Sequence, residues 1–511
     1  MELISIIPDF QPRNDPELLK KAEALRPELH HTEYPAPAAY LLNGAPLTGN
    51  PEETELRQGD QLLADFGRHL VGRVSLQLAA AGSHQDAPAF LQLDLAEIPG
   101  ELAEDPESYH GWLSPSWIQR ERLHIDRLPA EETLPRRYAF RYVRLTVLGT
   151  SPKYRLVVKG ISCRAESAAD ETRLPALPPL DPELTAIRAA GLRTLAECMQ
   201  EVLEDGPKRD QRLWLGDLRL QALGIYASYR QTDLVKRCLY LFAGTTFPDG
   251  RMSANVFTEP EPAADDTYLA DFALIYPMAL QEYLSETDDG EAAEDLTEPA
   301  LAQTDWVLAH CLGADGLITR EAAKDCLIDW SDTLDRSACL TGVLICSLDA
   351  CAGLCTRRGA ELRAAAYRRV AAQLRRSALE KWWSEQEGCF VTGGQTAIHT
   401  QVWMTLADVM PEGRAEAAFG KALNALDSPR MMTPYMHHYY VTALLRAGLR
   451  EKAEAHLRSY WGGMIAQGGD TFWECWDPEH PEASPYGGRV VNSHCHAWSC
   501  TPVYLIGRFF S

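Results

Sequence analysis

The 511-residue chain is long enough for two or more domains, and 46% apolar with 24% charged residues is typical of a globular protein with a large core. A formal net charge of -23 argues against nucleic acid or an anionic membrane surface as partners. The start of the chain lacks a basic segment and reaches Pro8 and Asp9 too early for a signal peptide, and no apolar run approaches membrane-spanning length. Thirteen cysteines scattered singly predict free thiols and a cytoplasmic location.

The first third of the chain is predicted to contain an arm and a β domain. Residues 1–40 are rich in Pro, Glu and His without a sustained period, which predicts an arm lying over another domain. Between 41 and 166, short stretches alternate apolar and polar residues and are separated by turn clusters, which predicts an antiparallel, jelly-roll-like β-sandwich. Three of these stretches are Val71–Leu78, Phe90–Leu95 and Tyr142–Leu148. Trp112 and Trp117 are interpreted as core or interface residues.

The rest of the chain is predicted to be helical. Residues 167–180 form a Pro-rich linker, and a helical period runs through 181–511. About a dozen helices without a repeat of fixed length favour an (α/α) barrel of six helical hairpins over a solenoid. The predicted helices begin at 189–199 and continue at about 218–230, 267–286, 297–312, 334–357, 361–384, 396–409, 414–426, 433–447, 451–464 and 494–510. In such a barrel, loops at one end form a funnel.

The segment from Glu204 to Asp217 carries the densest set of chemical groups in the chain. It combines carboxylates, arginines and Trp214, and Gly206-Pro207 makes it a loop. A helical pattern begins directly behind it, so Asp217 is a candidate N-cap. A solvated charged turn is the alternative interpretation. The apolar residues in the segment favour a loop folded against the core, where carboxylates acquire the shifted pKa values that acid–base catalysis requires.

Further loops rich in Trp and carboxylates are expected at the same end of the barrel. They are 265–268 with Asp266, 329–332 with Trp330, 393–396, 469–477 with Trp473, Glu474 and Trp476, and 492–498 with His494 and His496. Aromatic rings beside carboxylates make a platform for sugars, because the rings take the C–H faces and the acids take the hydroxyls. The alternative for each aromatic residue is a packing role in the core.

Three segments together resemble the signature motifs of inverting α-L-rhamnosidases, glycoside hydrolase family 78. Segment 205–210 (DGPKRD), followed by Gly-Asp at 216–217, is similar to the family's Asp-Cys-Pro-x-Arg-(Glu/Asp) and Gly-Asp. Segment 469–477 (GDTFWECWD) resembles Gly-x-Thr-(Thr)-x-Trp-Glu-x-Trp-Asp, and 492–497 (NSHCHA) loosely resembles the closing Ser-x-x-His-x-Ala. The resemblance covers about 180–511, together with the β-sandwich that often precedes the barrel in this family.

The resemblance implies a role for each matching residue. Glu474 matches the general base that activates water, and Asp210 matches the general acid. Asp205, Arg209 and Asp217 match residues that bind sugar hydroxyls. The other expected substrate-binding residues are Trp214, Asp266, Trp330, Trp473, Trp476, His494 and His496. The implied partner is a carbohydrate with a terminal L-rhamnose or a related sugar, and no cofactor or metal is implied.

Departures from the motif leave other functions open. Gly206 replaces the usual Cys, Asp210 stands where many members have Glu, and Gln211 occupies the place where some carry their Glu. A catalytically weakened glycan-binding protein is therefore one alternative. A barrel hydrolase for another sugar, such as an uronyl residue, is a second. The sequence specifies neither the aglycone, the linkage nor the oligomeric state.

A zinc-dependent L-arabinofuranosidase with a cysteine nucleophile is a third alternative. Thiolates and imidazoles are good zinc ligands, and several such side chains cluster near the C-terminus. They are Cys475, His494, Cys495, His496 and Cys500, beside Glu474. Their spacing matches no standard zinc pattern.

Overall fold

The computed structural model describes residues 7–47, 50–176, 178–425, 428–481 and 483–511, so residues 1–6 of the predicted arm and Leu177 of the predicted linker lie outside it. A sheet-rich domain precedes a helical domain, as predicted. The elements of the first part are β1 (Arg13–Asn14), α1 (Pro16–Ala24), β2 (His30–Tyr34), β3 (Ala39–Leu42), β4 (Ala45–Pro46), β5 (Glu55–Leu56), β6 (Gln61–Gly82), β7 (Ala89–Ala96), β8 (Arg120–Ile125), β9 (Ala130–Thr133), β10 (Tyr138–Gly149) and β11 (Tyr154–Ser167).

The second part is mainly α-helical, with a few short strands in its loops. Its elements are α2 (Pro182–Cys198), β12 (Leu213–Trp214), α3 (Leu215–Tyr226), α4 (Thr232–Gly244), β13 (Thr245–Thr246), β14 (Asn255–Phe257), β15 (Ala263–Ala264), α5 (Ala270–Thr287), α6 (Gly290–His310), α7 (Ser337–Arg357), α8 (Glu361–Trp382), β16 (Trp383–Ser384), β17 (Cys389–Phe390), α9 (Ile398–Leu406), α10 (Ala415–Leu423), α11 (Pro434–Arg446), α12 (Arg450–Ala466) and α13 (Pro502–Leu505).

The long strand β6 joins the two halves of the β-sandwich. Its first half pairs antiparallel with β10, and its second half pairs antiparallel with β11. Strands β7 and β8 extend the β10 side, while β2 extends the β11 side. Buried and exposed residues alternate along much of β6, so the inward-facing side chains form one apolar core. At the crossover, a Cβ on Gly72 would lie 2.3 Å from the carbonyl oxygen of Arg164, so this approach requires glycine.

The predicted arm contains regular structure that the sequence pattern did not indicate. Helix α1 packs against α4, β1 pairs with β13, and β2 pairs with β11. The segment therefore contacts both domains. Asp15 caps α1 by accepting the N–H groups of Glu17 and Leu18. Ala22 is its one fully buried side chain, and at 9 residues the helix is too short to show a sustained hydrophobic period in the sequence.

Six inner elements close the helical domain into a ring. Helices α3, α5, α7, α9 and α11 pack in succession, and the final segment around 497–505 contacts both α11 and α3. Helices α4, α6, α8, α10 and α12 lie outside and return the chain to the other end, while α2 contacts α12 and the final segment. The inner helices are buried on nearly all sides, as their apolar sequences require. The predicted barrel of six hairpins is confirmed.

Two helical segments show the largest differences from the sequence prediction, while α2 and α6 each begin several residues earlier than predicted. Helix α4 was not predicted, because its apolar run Leu239–Phe242 fits a buried strand as well as a helix. The predicted helix at 494–510 begins only at Pro502. Before that point, the N–H groups of His496 and Ala497 donate to the carbonyl oxygens of Phe472 and Asp205, which replaces a helical ladder.

Helix α7 contradicts the expectation that no apolar run approaches membrane-spanning length. Among the described residues, Ser337–Arg357 is the one helix long and apolar enough to cross a membrane by length and composition, with a mean hydropathy of 1.9. Within this protein, 83% of its apolar window is buried. The helix belongs to the inner ring of the barrel.

Candidate active site

A cavity of about 400 Å³ opens where loops of the barrel meet the β-sandwich. We call its buried lining the floor and its half-buried or exposed lining the rim. The floor consists of Asp205, Arg209, Asp217, Thr267, Leu269, Phe272, Leu327, Glu474, Tyr486, His496 and Trp498. The rim consists of Trp112, Leu113, Ser114, Trp117, Asp210, Arg212, Trp214, Phe257, Asp265, Trp330 and Pro485.

The loop 205–212 is held in an irregular shape by its own hydrogen bonds. The N–H of Asp205 donates to the carbonyl oxygen of Arg212, and the N–H of Arg212 donates to Asp205 Oδ1 at 3.0 Å. Asp210 and Gln211 have φ values of 68° and 53°, in the left-handed region. Such conformations are strained for residues with a side chain and cluster at functional sites. Asp210 lines the cavity, whereas Gln211 turns back and donates to the carbonyl oxygen of Pro207 at 2.7 Å.

One guanidinium lies between the two candidate catalytic carboxylates. Arg209 Nη2 contacts Glu474 Oε2, and Arg209 Nη1 lies 3.5 Å from Asp210 Oδ2. The Tyr486 hydroxyl donates to Glu474 Oε1, and the Arg209 guanidinium also lies over the Tyr486 ring, 4.4 Å from its centroid. Asp210 and Glu474, which are 264 positions apart in the chain, therefore share one cavity.

The pKa values of the buried carboxyl groups are shifted in opposite directions. Burial raises the pKa of Glu474, but Arg209, His496 and the Tyr486 hydroxyl lower it more, so the net shift is downward. The pKa of Asp205 is raised well above its ordinary value by burial and by the neighbouring carboxylates of Asp210 and Asp217. Glu474 is therefore held ionised, while Asp205 is disposed to hold a proton.

The α3 end of the site adds a carboxylate–imidazole pair. His496 Nε2 lies 3.3 Å from Asp217 Oδ1, and both residues are on the floor. Burial raises the pKa of Asp217, and the His496 ring opposes that rise. Asp217 is not the N-cap expected from the sequence, because α3 begins at Leu215 and Trp214 occupies the cap position. From the first turn of α3, Asp217 faces the cavity.

Trp330 forms an aromatic wall at the rim. Its ring lies edge-on to Tyr486 and Trp498, at centroid distances of 5.4 and 5.6 Å. The preceding residue, Asp329, is fully buried and accepts from Thr433 Oγ1 and from the N–H of Trp330 itself. This anchoring keeps the Trp330 loop in one position relative to the floor.

Eight of the predicted site residues line the cavity together, and four do not. Those that line it are Asp205, Arg209, Asp210, Trp214, Asp217, Trp330, Glu474 and His496. Asp266 points away and accepts from the N–H of Ile7 at 2.5 Å, while its neighbour Asp265 lines the rim. Trp473 lies edge-on to the ring of His494, and Trp476 packs against Tyr460. The Trp476 ring needs the space above Gly463, where a Cβ would lie 2.1 Å from it.

His494, the fourth of these residues, belongs instead to an interdomain charge network behind the floor. Its Nδ1 lies 2.6 Å from Glu101, and its N–H donates to Glu97. Lys208 Nζ lies 2.6 Å from the same Glu101 and 3.5 Å from Glu97. Both glutamates come from the β-sandwich side, whereas Lys208 belongs to the loop that carries Asp210. The network therefore ties that loop to the neighbouring domain.

The interdomain charge network is completed by a buried histidine on β6. His69 contacts Glu197 and lies 3.0 Å from Glu97. Although burial opposes it, these glutamates raise the pKa of His69 to about 10. Three cationic and three carboxylate side chains, all buried, thus balance one another. They are His69, Lys208 and His494, with Glu97, Glu101 and Glu197. Losing one member of such a buried set typically costs about 3–5 kcal/mol.

Among the described residues, two groups of side chains have metal-capable atoms within 4.8 Å of one another, and both consist of members of this network or a direct neighbour of it. They are His69, Glu197 and Cys495, and Glu97, Glu101 and His494. Lys208 already supplies positive charge to the second group. The cluster expected for a cysteine–zinc enzyme is not assembled around Glu474. Cys495 Sγ lies 3.7 Å from Glu197, and His494 turns to Glu101.

Several lining residues were missed by the sequence analysis. Trp112 and Trp117 were interpreted as core or interface residues, yet both line the rim. Their clustering in a loop rich in Pro and Ser was the signal that could have indicated an exposed role. Tyr486 had no comparable signal, because a single tyrosine in a loop carries no motif. Only the fold brings its hydroxyl to Glu474.

Comparison with known proteins agrees with this geometry. Residues 47–165 match the N-terminal domain of glycosyl hydrolase family 78 alpha-rhamnosidases. Residues 180–509 match the bacterial alpha-L-rhamnosidase six-hairpin glycosidase domain. The comparison with curated proteins found no significant match.

Solved structures extend the comparison over almost the whole chain. A rhamnosidase from Klebsiella oxytoca with rhamnose bound is 41% identical, with a TM-score of 0.94, over 98% of this chain and 100% of that one. A family 78 rhamnosidase of Bacillus sp. GL1 shares the fold at 22% identity and a TM-score of 0.75, over 97% of this chain and 49% of that one. An α-L-rhamnosidase from Streptomyces avermitilis complexed with L-rhamnose also shares the fold. Its sequence identity is 18% and its TM-score 0.67, over 94% of this chain and 44% of that one. The chain therefore belongs to the bacterial α-L-rhamnosidases of glycosyl hydrolase family 78 and is a glycoside hydrolase.

Proposed function

We propose that this enzyme removes terminal α-L-rhamnosyl residues with inversion, using Glu474 as general base and Asp210 as general acid. The observation that carries the proposal is the Arg209 guanidinium, which contacts both carboxylates within one cavity. Inverting enzymes need the two carboxyl groups about 6.5–9.5 Å apart, so that a water molecule fits behind the sugar. Because two different nitrogen atoms of the Arg209 guanidinium contact Asp210 and Glu474, this arrangement supports a separation of that order between the two carboxyl groups.

The two carboxyl groups differ in depth, as the two roles require. The Glu474 side chain is 5% exposed and the Asp210 side chain is 20% exposed. Glu474, ionised through its lowered pKa, accepts a proton from the water that attacks the anomeric carbon. Asp210 donates a proton to the glycosidic oxygen, because it lies on the rim where the leaving group must depart.

The floor supplies complementary contacts for a 6-deoxy sugar. Asp205, Asp217 and His496 provide polar atoms for hydroxyl groups. Leu269 and Leu327, together with Phe272, form an apolar part of the floor, which suits the methyl group of rhamnose. The rhamnose bound to the Klebsiella relative supports this choice of sugar. A uronyl carboxylate would instead meet several acidic side chains, which disfavours that alternative.

Hydrolysis of a panel of aryl glycosides tests the proposal, with the product followed by proton NMR. We expect turnover of aryl α-L-rhamnoside with β-L-rhamnose as the first product, before mutarotation. Aryl α-L-mannoside, which differs by a hydroxyl at C6, should have a kcat/KM lower by about 10–200-fold, because one group in an apolar pocket is worth that much. First formation of α-L-rhamnose would contradict inversion, and no rhamnoside turnover would contradict the substrate.

Changing Tyr486 to Phe tests the ionisation of Glu474. The Tyr486 hydroxyl lowers the pKa of Glu474, so its removal should raise that pKa. A base is active only when ionised, so the acidic limb of the kcat/KM profile should move to higher pH. Tyr367→Phe is the matched control, because the Tyr367 hydroxyl also donates to a carboxylate, Asp305, but does not line the cavity. An acidic limb that moves to lower pH, or that moves equally in both variants, would contradict the assignment.

A cytoplasmic location remains part of the proposal. All thirteen cysteines are free thiols, and eleven of them are fully buried. Burial raises the pKa of several, including Cys198 and Cys495. Unpaired thiols in this number are typical of a reducing compartment.

A further inference from the structure

We propose that the β-sandwich loop 109–117 forms a leaving-group subsite for a planar aromatic aglycone. The inference rests on the proposed function of the cavity and names the part of the substrate that the rim binds. No residue of this loop belongs to the catalytic motifs. The loop comes from the other domain and reaches the rim through Trp112, Leu113, Ser114 and Trp117.

The depth of the cavity decides which part of the substrate meets this loop. The polar side chains suited to a terminal sugar, including Glu474 and Asp217, are on the buried floor. A sugar in contact with them can carry its aglycone only toward the open rim. Asp210 lies at that level, as a donor to the leaving oxygen must. The rim residues around it are therefore the ones that touch the aglycone.

The subsite is preformed rather than loose. Trp112 is 42% exposed, yet its indole Nε1 donates to the carbonyl oxygen of Pro485 at 3.2 Å and its ring packs on Tyr486 at 5.4 Å. The Tyr109 hydroxyl donates to the carbonyl oxygen of Tyr486 and accepts from the N–H of Leu113. A Cβ on Gly111 would lie 1.7 Å from that same Tyr486 oxygen, so the two loops are in close contact. Because the Trp112 indole is already held in place, a ligand that packs on it causes little further loss of side-chain entropy.

The side of the rim that loop 109–117 forms has few polar groups, which favours an aromatic ring there over a second sugar. On the side of this loop, Trp112, Leu113, Trp117 and Pro485 present apolar surface. Ser114 is the one hydroxyl-bearing side chain of this loop in the cavity lining; its Oγ accepts from the N–H of Ser116 and keeps its own O–H as a donor. A sugar in this position would lose hydration of several hydroxyls and could gain a hydrogen bond from only one hydroxyl of the loop. A flat aryl group would stack on the indole without that cost.

The rim also offers a second flat surface. The Arg212 guanidinium lies over the Phe257 ring, 4.4 Å from its centroid. Both line the rim. Guanidinium planes and aromatic rings stack favourably with aryl groups. The rim therefore offers a planar aglycone more than one flat surface to stack on.

Binding of non-hydrolysable thioglycosides to the intact protein, measured by calorimetry, tests the subsite without turnover. The ligands are methyl, 2-naphthyl and 6-glucosyl 1-thio-α-L-rhamnosides. For Trp112→Ala we expect the Kd of the naphthyl ligand to rise about 10-fold, the scale of one lost aromatic stack plus its buried area, and the Kd of the methyl ligand to stay unchanged. Trp112→Phe should recover part of the loss. Trp117→Ala tests the same surface at a second position and should also raise the Kd of the naphthyl ligand more than that of the methyl ligand.

A matched control separates the subsite from general effects of removing a tryptophan. Trp383 is half-buried and lies outside the cavity lining, so Trp383→Ala should leave all three Kd values unchanged. Equal losses for methyl and naphthyl ligands would overturn the subsite, because Trp112 would then act through the floor. A larger loss for the glucosyl ligand would overturn the aromatic choice. Naphthyl binding that depends on Trp112 in a protein without rhamnosidase turnover would contradict the catalytic proposal alone.

Discussion

The Glu474→Gln variant is expected to lose roughly 10²–10⁴-fold in kcat, the typical contribution of a positioned general base. The amide cannot accept the proton of the attacking water, so inversion stalls even with an aryl leaving group. The amide oxygen still accepts from Arg209, and the amide NH2 can donate to the Tyr486 hydroxyl oxygen in place of the bond that this hydroxyl now donates to Glu474, which preserves the floor and the sugar-binding contacts. The kcat of the variant should therefore fall while its Kd for L-rhamnose stays unchanged, and both quantities are to be measured.

Folding has to be followed in the same variant. Replacing the buried carboxylate leaves Arg209 with less compensating charge, and an unpaired buried charge typically costs about 3–5 kcal/mol. The control is Glu479→Gln, five positions further along, where the carboxylate forms an exposed ion pair with Arg430. That change should alter neither kcat nor the melting temperature. Substantial turnover by a folded Glu474→Gln protein would remove Glu474 from the mechanism.

The Asp210→Asn variant should show a loss that depends on the leaving group. Alkyl and sugar rhamnosides need protonation as the bond breaks, so their kcat/KM should fall by roughly 10²–10⁴-fold. A 4-nitrophenyl rhamnoside releases a stable phenolate without that help and should lose much less. Plots of log kcat/KM against leaving-group pKa should therefore become steeper in the variant.

Gln211 provides the internal control for this assignment. Its side chain turns back to the carbonyl oxygen of Pro207 and does not line the cavity, so Gln211→Glu should restore nothing in an Asp210→Asn background. Asp210→Glu keeps the carboxylic acid and should retain the wild-type slope. Equal losses on every substrate would show that Asp210 is not the acid. Recovery through Glu at 211 would assign that role to the neighbouring position.

Much of the active site was predictable because motifs preserve the spacing of reacting groups. Asp205, Arg209, Asp210 and Asp217 lie within 13 residues of one another, and a single loop followed by the first turn of α3 carries all four into the cavity. Glu474 was recognisable from its flanking tryptophans. Those tryptophans, Trp473 and Trp476, do not line the cavity, because a motif does not say which of its side chains face it.

The domain boundary is where sequence patterns are least informative. Trp112 lies on a β-sandwich loop, and its significance depends on the loop 484–491 of the other domain, to which no local pattern connects it. The same applies to Lys208 and His494, whose partners Glu97 and Glu101 are nearly 400 residues away from His494 in the chain. Such contacts depend on how two domains dock.

The sequence by itself determined the class of fold, the family and the identity of the two candidate catalytic carboxylates. Hydrophobic period and short motifs are local properties, so they can be read along the chain. Only the tertiary structure decided which aromatic residues line the cavity, that Arg209 bridges Asp210 and Glu474, and that the β-sandwich completes the rim. Those features depend on distances between residues far apart in the chain, which are decided by packing and not by order.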